Sequence, residues 1–100
     1  MMTVNVLGTK YTIKFSNKVK DKDLEGLSGY CDFYTKTIII DETQKDETFV
    51  KSTIRHELIH AFLYESGLDV CSWGRNEEIV DWIANQFPKM QDAFVQCDVV

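Results

Sequence analysis

The sequence has little of what marks several classes of protein. Its 100 residues contain one proline and five glycines, and the longest apolar run, at residues 61–64, is four residues long. A run this short cannot cross a bilayer, so no membrane partner is expected. Basic residues are also few, and the formal net charge of −5 argues against a nucleic-acid-binding surface, which is normally basic.

Cysteine is scarce and too widely spaced for a cysteine-based site. Cys31, Cys71 and Cys97 are odd in number and form no CxxC pair. This argues against a disulfide framework and against a cysteine zinc knuckle. Since the N-terminus also shows no positively charged start followed by an apolar core, we expect reduced thiols in a cytoplasmic protein.

What the sequence does contain is typical of one small globular domain spanning residues 1–100. Apolar residues make up 44% and charged residues 27%, with no internal repeat and no linker. Strand patterns occur at residues 4–7, 10–15, 29–33 and 37–41, with a first turn expected at Gly8 and Thr9. Helical patterns follow, so the predicted fold class is α+β. A chain this short buries a modest core, and a bound metal would contribute to its stability.

Capping residues predict where the helices begin and end. Asp46 is a candidate N-cap and Gly67 a left-handed stop, so the first helix is expected over residues 47–66. A second helix is expected from near Asn76 to about Phe87. Pro88 is expected to interrupt it and to open a third short helix that ends near residue 96.

The first predicted helix contains an HExxH motif, which runs from His56 through Glu57 to His60. Histidines four residues apart project from one helix face and can both reach a single tetrahedral ion. On a helical projection the three residues share the arc of apolar side chains, opposite Lys51 and Arg55. Polar groups on a core-facing arc are costly unless something satisfies them, and a metal does so. The alternative is two core histidines bonded to carbonyl groups beside a salt-bridged glutamate.

The second predicted helix offers a third metal ligand. On the same projection Glu77 and Asp81 flank its apolar stripe beside the small Ala84, whereas Glu78 and Asn85 point well away. Glu77 is therefore the candidate ligand, and Asp81 is placed to accept the free ring N–H of a metal-bound histidine. The alternative is an acidic first turn stabilised by the helix dipole, which fits Glu78 better.

HExxH followed by ExxxD on the next helix resembles the gluzincin metallopeptidases, and the short connection and small size resemble the minigluzincins. Residues 77–88 are also similar to the ImmA/IrrE-type peptidases that are common in phages. The resemblance covers about residues 37–88. It implies a small zincin-like domain, in which an active-site helix is followed by a helix that supplies the third zinc ligand.

The same resemblance implies a role for each residue of the motif. His56, His60 and Glu77 are expected to bind one Zn²⁺ per chain, Glu57 to be the catalytic general base, and Asp81 to orient a histidine. By analogy, part of residues 29–40 is expected to border the cleft and to pair with an extended substrate.

Together these features predict a zinc endopeptidase that acts on a protein or peptide substrate, and the resemblance to the ImmA/IrrE-type peptidases implies a phage origin. Water activated by the zinc would lose a proton to Glu57 and attack the peptide carbonyl. A different class of function is a metal-stabilised interaction module, such as a phage regulatory protein with little or no turnover. Such a module has no need of a base at Glu57 and usually closes the fourth ligand position. A third interpretation, a non-haem iron site on the same two histidines and one carboxylate, lacks a cosubstrate motif.

Several points stay open in the sequence. Larger gluzincins steady the oxyanion with a histidine or tyrosine, and here the spacing selects none of the candidates: Tyr30, Tyr34, Tyr64 and Arg75. The apolar tail at residues 94–100 is expected either to lie in the cleft and enforce latency or to pack on the helices. Cys71 or Cys97 is a candidate for the fourth zinc position or a neutral thiol, and the packing or turn residues are Trp73, Gly74 and Trp82.

Overall fold

In the computed structural model, which describes residues 2–72 and 75–100, four strands come first and two long helices after. The elements are β1 (Met2–Val6), β2 (Thr9–Ser16), a 3₁₀ turn (Lys22–Leu24), β3 (Gly29–Asp32), β4 (Thr37–Asp41), α1 (Glu47–Glu65) and α2 (Glu77–Gln96). The predicted α+β class is confirmed. Trp73 and Gly74 lie outside the described residues, and Trp82 is exposed rather than packed.

The four strands form one mixed sheet in the order β1-β2-β4-β3. β1 pairs antiparallel with β2, and β3 with β4, while β2 and β4 run parallel. The first hairpin turns at Leu7 and Gly8, one residue earlier than expected, and both have positive φ, as the tight turns favoured by hairpin twist require. β3 is the outermost strand on its side of the sheet, with β4 as its neighbour.

The core lies between the sheet and α1. Tyr11 and Ile13 of β2 are buried, as their alternation predicts, whereas Phe15 is exposed near the end of the strand. The apolar residues of β4 are buried in an unbroken run. The central cluster consists of Val6, Tyr11, Ile13, Ile38, Ile40 and Ala61. Because Ala61 belongs to α1, the helix that carries the HExxH motif is seated directly on the sheet.

The ends of α1 follow from its capping residues. The Asp46 carboxylate accepts hydrogen bonds from the backbone N–H groups of Thr48 and Phe49. At the other end Gly67 has a φ of 77°, and Leu68 donates its backbone N–H to the carbonyl of Leu63. This is the left-handed termination that glycine accommodates without strain, so both predicted ends are confirmed.

α2 is longer than expected. Asn76 caps it through the backbone N–H groups of Glu78 and Ile79, and the helix continues through Pro88 to Gln96. The predicted break at Pro88 and the separate third helix are therefore wrong. Val80 and Ala84 are buried, whereas residues 91–100 are exposed. No helix in the described part of the chain is long and apolar enough to span a membrane.

Candidate metal centre

Two helices bring three potential ligands together. His56 and His60 stand one turn apart on α1, with their Nε2 atoms 3.1 Å from each other. Because Asn76 caps α2, Glu77 is the first residue of that helix, and its carboxylate bridges the two rings. Oε2 lies 2.9 Å from His56 Nε2, and Oε1 lies 2.9 Å from His60 Nε2. Each residue thus offers one ligand atom, and these atoms lie within 4.8 Å of one another.

Asp81 determines how the His56 ring is oriented. Its Oδ1 lies 2.6 Å from His56 Nδ1, on α2 one turn after Glu77. A carboxylate accepts a hydrogen bond at this distance, so the hydrogen of the imidazole belongs on Nδ1. The lone pair of Nε2 is then directed at Glu77 and His60, which is the arrangement that a metal ligand needs.

The donor set fits a small divalent cation. When Nδ1 of His56 carries the hydrogen, His56 Nε2 and the Glu77 carboxylate are both acceptors, and two acceptors 2.9 Å apart repel unless a positive charge lies between them. Ligands about 2.0–2.2 Å from a tetrahedral zinc ion lie about 3.3–3.6 Å from each other. The distances of 2.9 and 3.1 Å between the three groups are slightly shorter, so a small outward movement admits the ion.

A proton is the alternative occupant, and the surroundings of His60 oppose it. Burial lowers the pKa of His60 below its ordinary value, against the pull of the Glu77 carboxylate in the other direction. A neutral imidazole is the form that coordinates a metal, since the lone pair must be free. Burial of His60 thus favours the neutral ring that a metal ligand requires.

Glu57 is the buried acid of the site. It is 8% exposed and lines the same cleft as His56 and Glu77. Burial raises the pKa of the Glu57 carboxyl to about 7; His56 opposes the rise, and Glu77 and Asp81 add to it. A carboxyl that titrates near neutral pH is able to take up a proton and return it.

The cleft has a volume of about 470 Å³ and lies between α1, α2 and the start of β3. Gly29 brings the edge strand close to α1 there. A Cβ on Gly29 would lie 2.8 Å from the carbonyl oxygen of Ile39 and 3.2 Å from Thr53 Cγ2, one turn before His56. Of residues 29–40, which were expected to border the cleft, Gly29 is the one that lines it in the described structure.

The helical projection placed Asn85 away from the apolar stripe of α2, and the residue is exposed. Asn85 lines the cleft, and its Oδ1 accepts a hydrogen bond of 2.7 Å from Ser52 Oγ on α1. The cleft follows the flank of α2 rather than its apolar stripe. Residues four apart lie on one side of a helix, so the spacing of Glu77, Asp81 and Asn85 in the sequence indicates that they share this flank. Glu78 is exposed, as expected.

Arg55 was placed opposite the core-facing arc of α1, and it is half-buried there. α2 covers that side, and Arg55 Nε donates a hydrogen bond of 2.5 Å to the backbone carbonyl of Ala84. Ala84 itself is fully buried, in keeping with the close helix approach that its size predicts. Nothing in the pattern of α1 alone indicates which side of the helix a second helix will cover.

None of the candidates for oxyanion stabilisation lines the cleft. The Tyr30 hydroxyl donates to Asp21 at 2.5 Å, the Tyr64 ring stacks on Phe33, and Tyr34 is 99% exposed. Arg75 is exposed and is likewise not among the lining residues. The hydroxyl and amide side chains that do line the cleft in the described residues are Ser28, Ser52, Thr53 and Asn85, of which Ser52 donates to Asn85 and Thr53 to the Phe49 carbonyl.

Cys71, Cys97 and the tail do not line the cleft. Neither Cys71 nor Cys97 belongs to the metal-binding group found in the described residues, and all three thiols are free. Burial raises the pKa of Cys31 to about 12, which keeps that thiol protonated. Residues 94–96 continue α2, and the exposed tail through residue 100 neither lines the cleft nor is buried on the helices, so both expectations for it are wrong.

No family model, no curated protein and no solved structure matches this chain. The likeness to gluzincins is therefore a resemblance of motifs alone.

Proposed function

We propose that the chain is a zinc-dependent endopeptidase in which His56, His60 and Glu77 hold one Zn²⁺ and Glu57 acts as general base. The observation that supports this is the convergence of three ligand atoms beside a buried carboxyl in one open cleft. Structural zinc sites usually take four protein ligands, whereas catalytic sites take three and leave a position open. The described residues offer three.

Each residue then has a definite task. When bound, zinc acts as a Lewis acid that polarises the peptide carbonyl and makes water easier to deprotonate. Glu57 takes the proton of the attacking water and returns it to the leaving amine. Asp81 holds the proton of His56 on Nδ1, so that Nε2 stays available as a ligand.

The site's surroundings favour an extended peptide as substrate. β3 is an edge strand, and its first residue, Gly29, lines the cleft. An unpaired strand edge offers backbone donors and acceptors to an extended chain, which adds to the sheet as a further strand. Such pairing is independent of side-chain sequence, so we propose unfolded or flexible protein segments as the substrate class.

A second candidate function is a metal-stabilised interaction module with little turnover. One observation favours it: none of Tyr30, Tyr34, Tyr64 and Arg75 reaches the cleft to steady an oxyanion. Loss of such a donor reduces the rate about 100- to 1000-fold in other hydrolases. Hydrolysis that depends on Glu57 would distinguish a slow enzyme from an interaction module.

The test uses Glu57→Gln, with Glu78→Gln on exposed α2 surface as matched control. Protein purified without chelators is assayed for zinc content and for hydrolysis of a fluorescently labelled, unfolded protein. We expect Glu57→Gln to keep zinc and abolish hydrolysis, since an amide cannot take up a proton at neutral pH. Zinc without any hydrolysis in the parent supports the module instead. Loss of zinc in Glu57→Gln makes Glu57 a ligand and overturns the mechanism.

A further inference from the structure

Pro88 leaves one backbone carbonyl of α2 without its usual partner. In an α-helix the N–H of residue 88 would bond to the carbonyl of residue 84, but proline has no N–H. Arg55 of α1 donates its Nε–H to that carbonyl, Ala84 O, at 2.5 Å. The Arg55 side chain thus replaces, from another helix, the hydrogen bond that Pro88 cannot make.

This contact lies next to the metal centre on both helices. Arg55 immediately precedes His56 on α1, and Ala84 follows Asp81 by three residues on α2. The packing of α1 against α2 at this level involves the small Ala84, which is fully buried. A small residue such as Ala84 lets the helices approach closely at this level, and a directional hydrogen bond to a backbone carbonyl adds a restraint on the position of one helix along the other.

We infer that Arg55 is a positioning residue for the metal centre: its bond to the Pro88-freed carbonyl of Ala84 fixes α2 along α1 so that Glu77 and Asp81 reach the histidines. This inference rests on the proposed function. A slip of one residue along a helix axis moves a side chain by about 1.5 Å, whereas a metal site accommodates about 0.2 Å in its ligand distances. The axial position of α2 therefore decides whether Glu77 is a ligand.

Electrostatics alone predicts the opposite result for the removal of Arg55. A guanidinium near the site repels a divalent cation, so its loss would tighten zinc binding. If Arg55 positions α2, its loss weakens binding. The sign of the change therefore separates the two effects.

The test is a double-mutant cycle between Arg55→Met, which keeps the apolar stem, and Pro88→Ala, which restores an N–H to serve Ala84 O. Zinc dissociation constants are measured by competition with a chromophoric chelator. We expect Arg55→Met to weaken zinc binding about 10-fold, within the range seen when a residue that supports a metal ligand is lost. In the Pro88→Ala background the same substitution is expected to cost no more than about 2-fold, because the carbonyl then has its own partner.

Two further variants serve as controls. Ser52→Ala removes a second hydrogen bond between the helices that lies outside the metal-binding group, Ser52 Oγ to Asn85 Oδ1, and Pro88 does not affect this bond. Its effect on zinc binding should be the same in both backgrounds. Arg55→Gln removes the charge but keeps an N–H donor. It takes the place of Arg55→Met in the cycle if Arg55→Met does not fold.

The absorption spectrum of Co²⁺-loaded protein reports the ligand geometry independently of activity. We expect Arg55→Met to change the cobalt d–d bands and the double variant to restore them. An equal loss of zinc affinity in both backgrounds, tighter binding in Arg55→Met, or a lower melting temperature with unchanged zinc affinity would each overturn the positioning role alone. A parent protein that binds no zinc would instead overturn the proposed function, and the positioning role with it.

Discussion

The carboxylate of Asp81 lies 2.6 Å from Nδ1 of His56, while Nε2 of the same ring lies 2.9 Å from Glu77. Two acidic residues one turn apart on α2 therefore contact opposite nitrogens of one imidazole. The two contacts have different consequences, because one atom of the ring must keep a proton and the other must give up its proton to coordinate a metal. Substitutions at the two acids should separate these roles.

Asp81→Ala should keep the fold and weaken zinc binding about 10- to 100-fold, as expected for the loss of a carboxylate that orients a histidine ligand. The side chain is 64% exposed, so its removal leaves no buried cavity. Circular dichroism checks the fold and a chelator competition gives the affinity. Equal zinc affinity in variant and parent would make Asp81 an ordinary surface residue.

Glu77→Gln and Glu78→Gln form a matched pair on the first turn of α2. The Glu77 carboxylate contacts both histidines, whereas Glu78 is exposed. We expect Glu77→Gln to lose most of its zinc, because a neutral amide is a weak ligand, and Glu78→Gln to keep it. Elemental analysis of the purified variants measures this. The reverse result would mean that the ligand on α2 is the neighbouring residue.

Removal of the metal should lower the melting temperature. A ligand that binds only the native state at 100 times its dissociation constant adds about 2.7 kcal/mol, or about 10–20 °C for a domain of this size. Thermal unfolding is compared with and without a chelator. The variant with both His56→Ala and His60→Ala is the control, since its melting curve should not respond. A parent whose curve is also unchanged after verified chelation contradicts the prediction.

Gly29→Ala tests the close approach of β3 to α1. The added Cβ would lie 2.8 Å from the Ile39 carbonyl oxygen and 3.2 Å from Thr53 Cγ2. Since backbone and a packed helix must shift, we expect a loss of about 1–3 kcal/mol in the free energy of unfolding. Urea denaturation measures it, with neighbouring Ser28→Ala as a control that adds no atom. Full stability in Gly29→Ala would mean that the strand and helix are further apart.

Glu65 links the end of α1 to the sheet through hydrogen bonds, and their contribution to stability should depend on pH. Its carboxylate accepts hydrogen bonds from Lys36 Nζ at 2.9 Å, Tyr11 OH at 2.7 Å and Thr9 Oγ1 at 3.0 Å. The bonds from Lys36 and then Tyr11 lower the pKa of Glu65 below its ordinary value of 4.5. The stabilisation is therefore complete above that value and is lost as the pH falls below it.

The measurement follows urea unfolding of metal-free protein from about pH 6 to about pH 3. Stability should fall with acidification in the parent and less steeply in Glu65→Gln, which has no carboxylate to protonate. Identical slopes in Glu65→Gln and the parent would show that Glu65 takes up its proton equally easily in the folded and unfolded chain.

The local features of this protein could be predicted from the sequence. Asp46, Gly67 and Asn76 end or begin helices through hydrogen bonds to residues within a few positions, so their effect is encoded where they stand. The strands β3 and β4 were likewise found within one residue of their predicted limits, since β-branched and alternating segments favour extended backbone locally. The spacing of His56 and His60 depends on one helix only, and so does their shared face.

Tertiary structure alone decided what lies between the two helices. Pro88 predicts a helix break when only its own helix is considered, but α2 continues through it, and the carbonyl that Pro88 leaves without a donor, Ala84 O, accepts a hydrogen bond from Arg55 of α1. Asn85 and Arg55 projected away from the apolar stripes of their helices, yet the angle at which α2 crosses α1 places both at the contact. That angle is set by side-chain packing between segments distant in sequence, so the periodicity of either helix alone cannot predict it. The approach of Glu77 to the histidines is decided by the same packing.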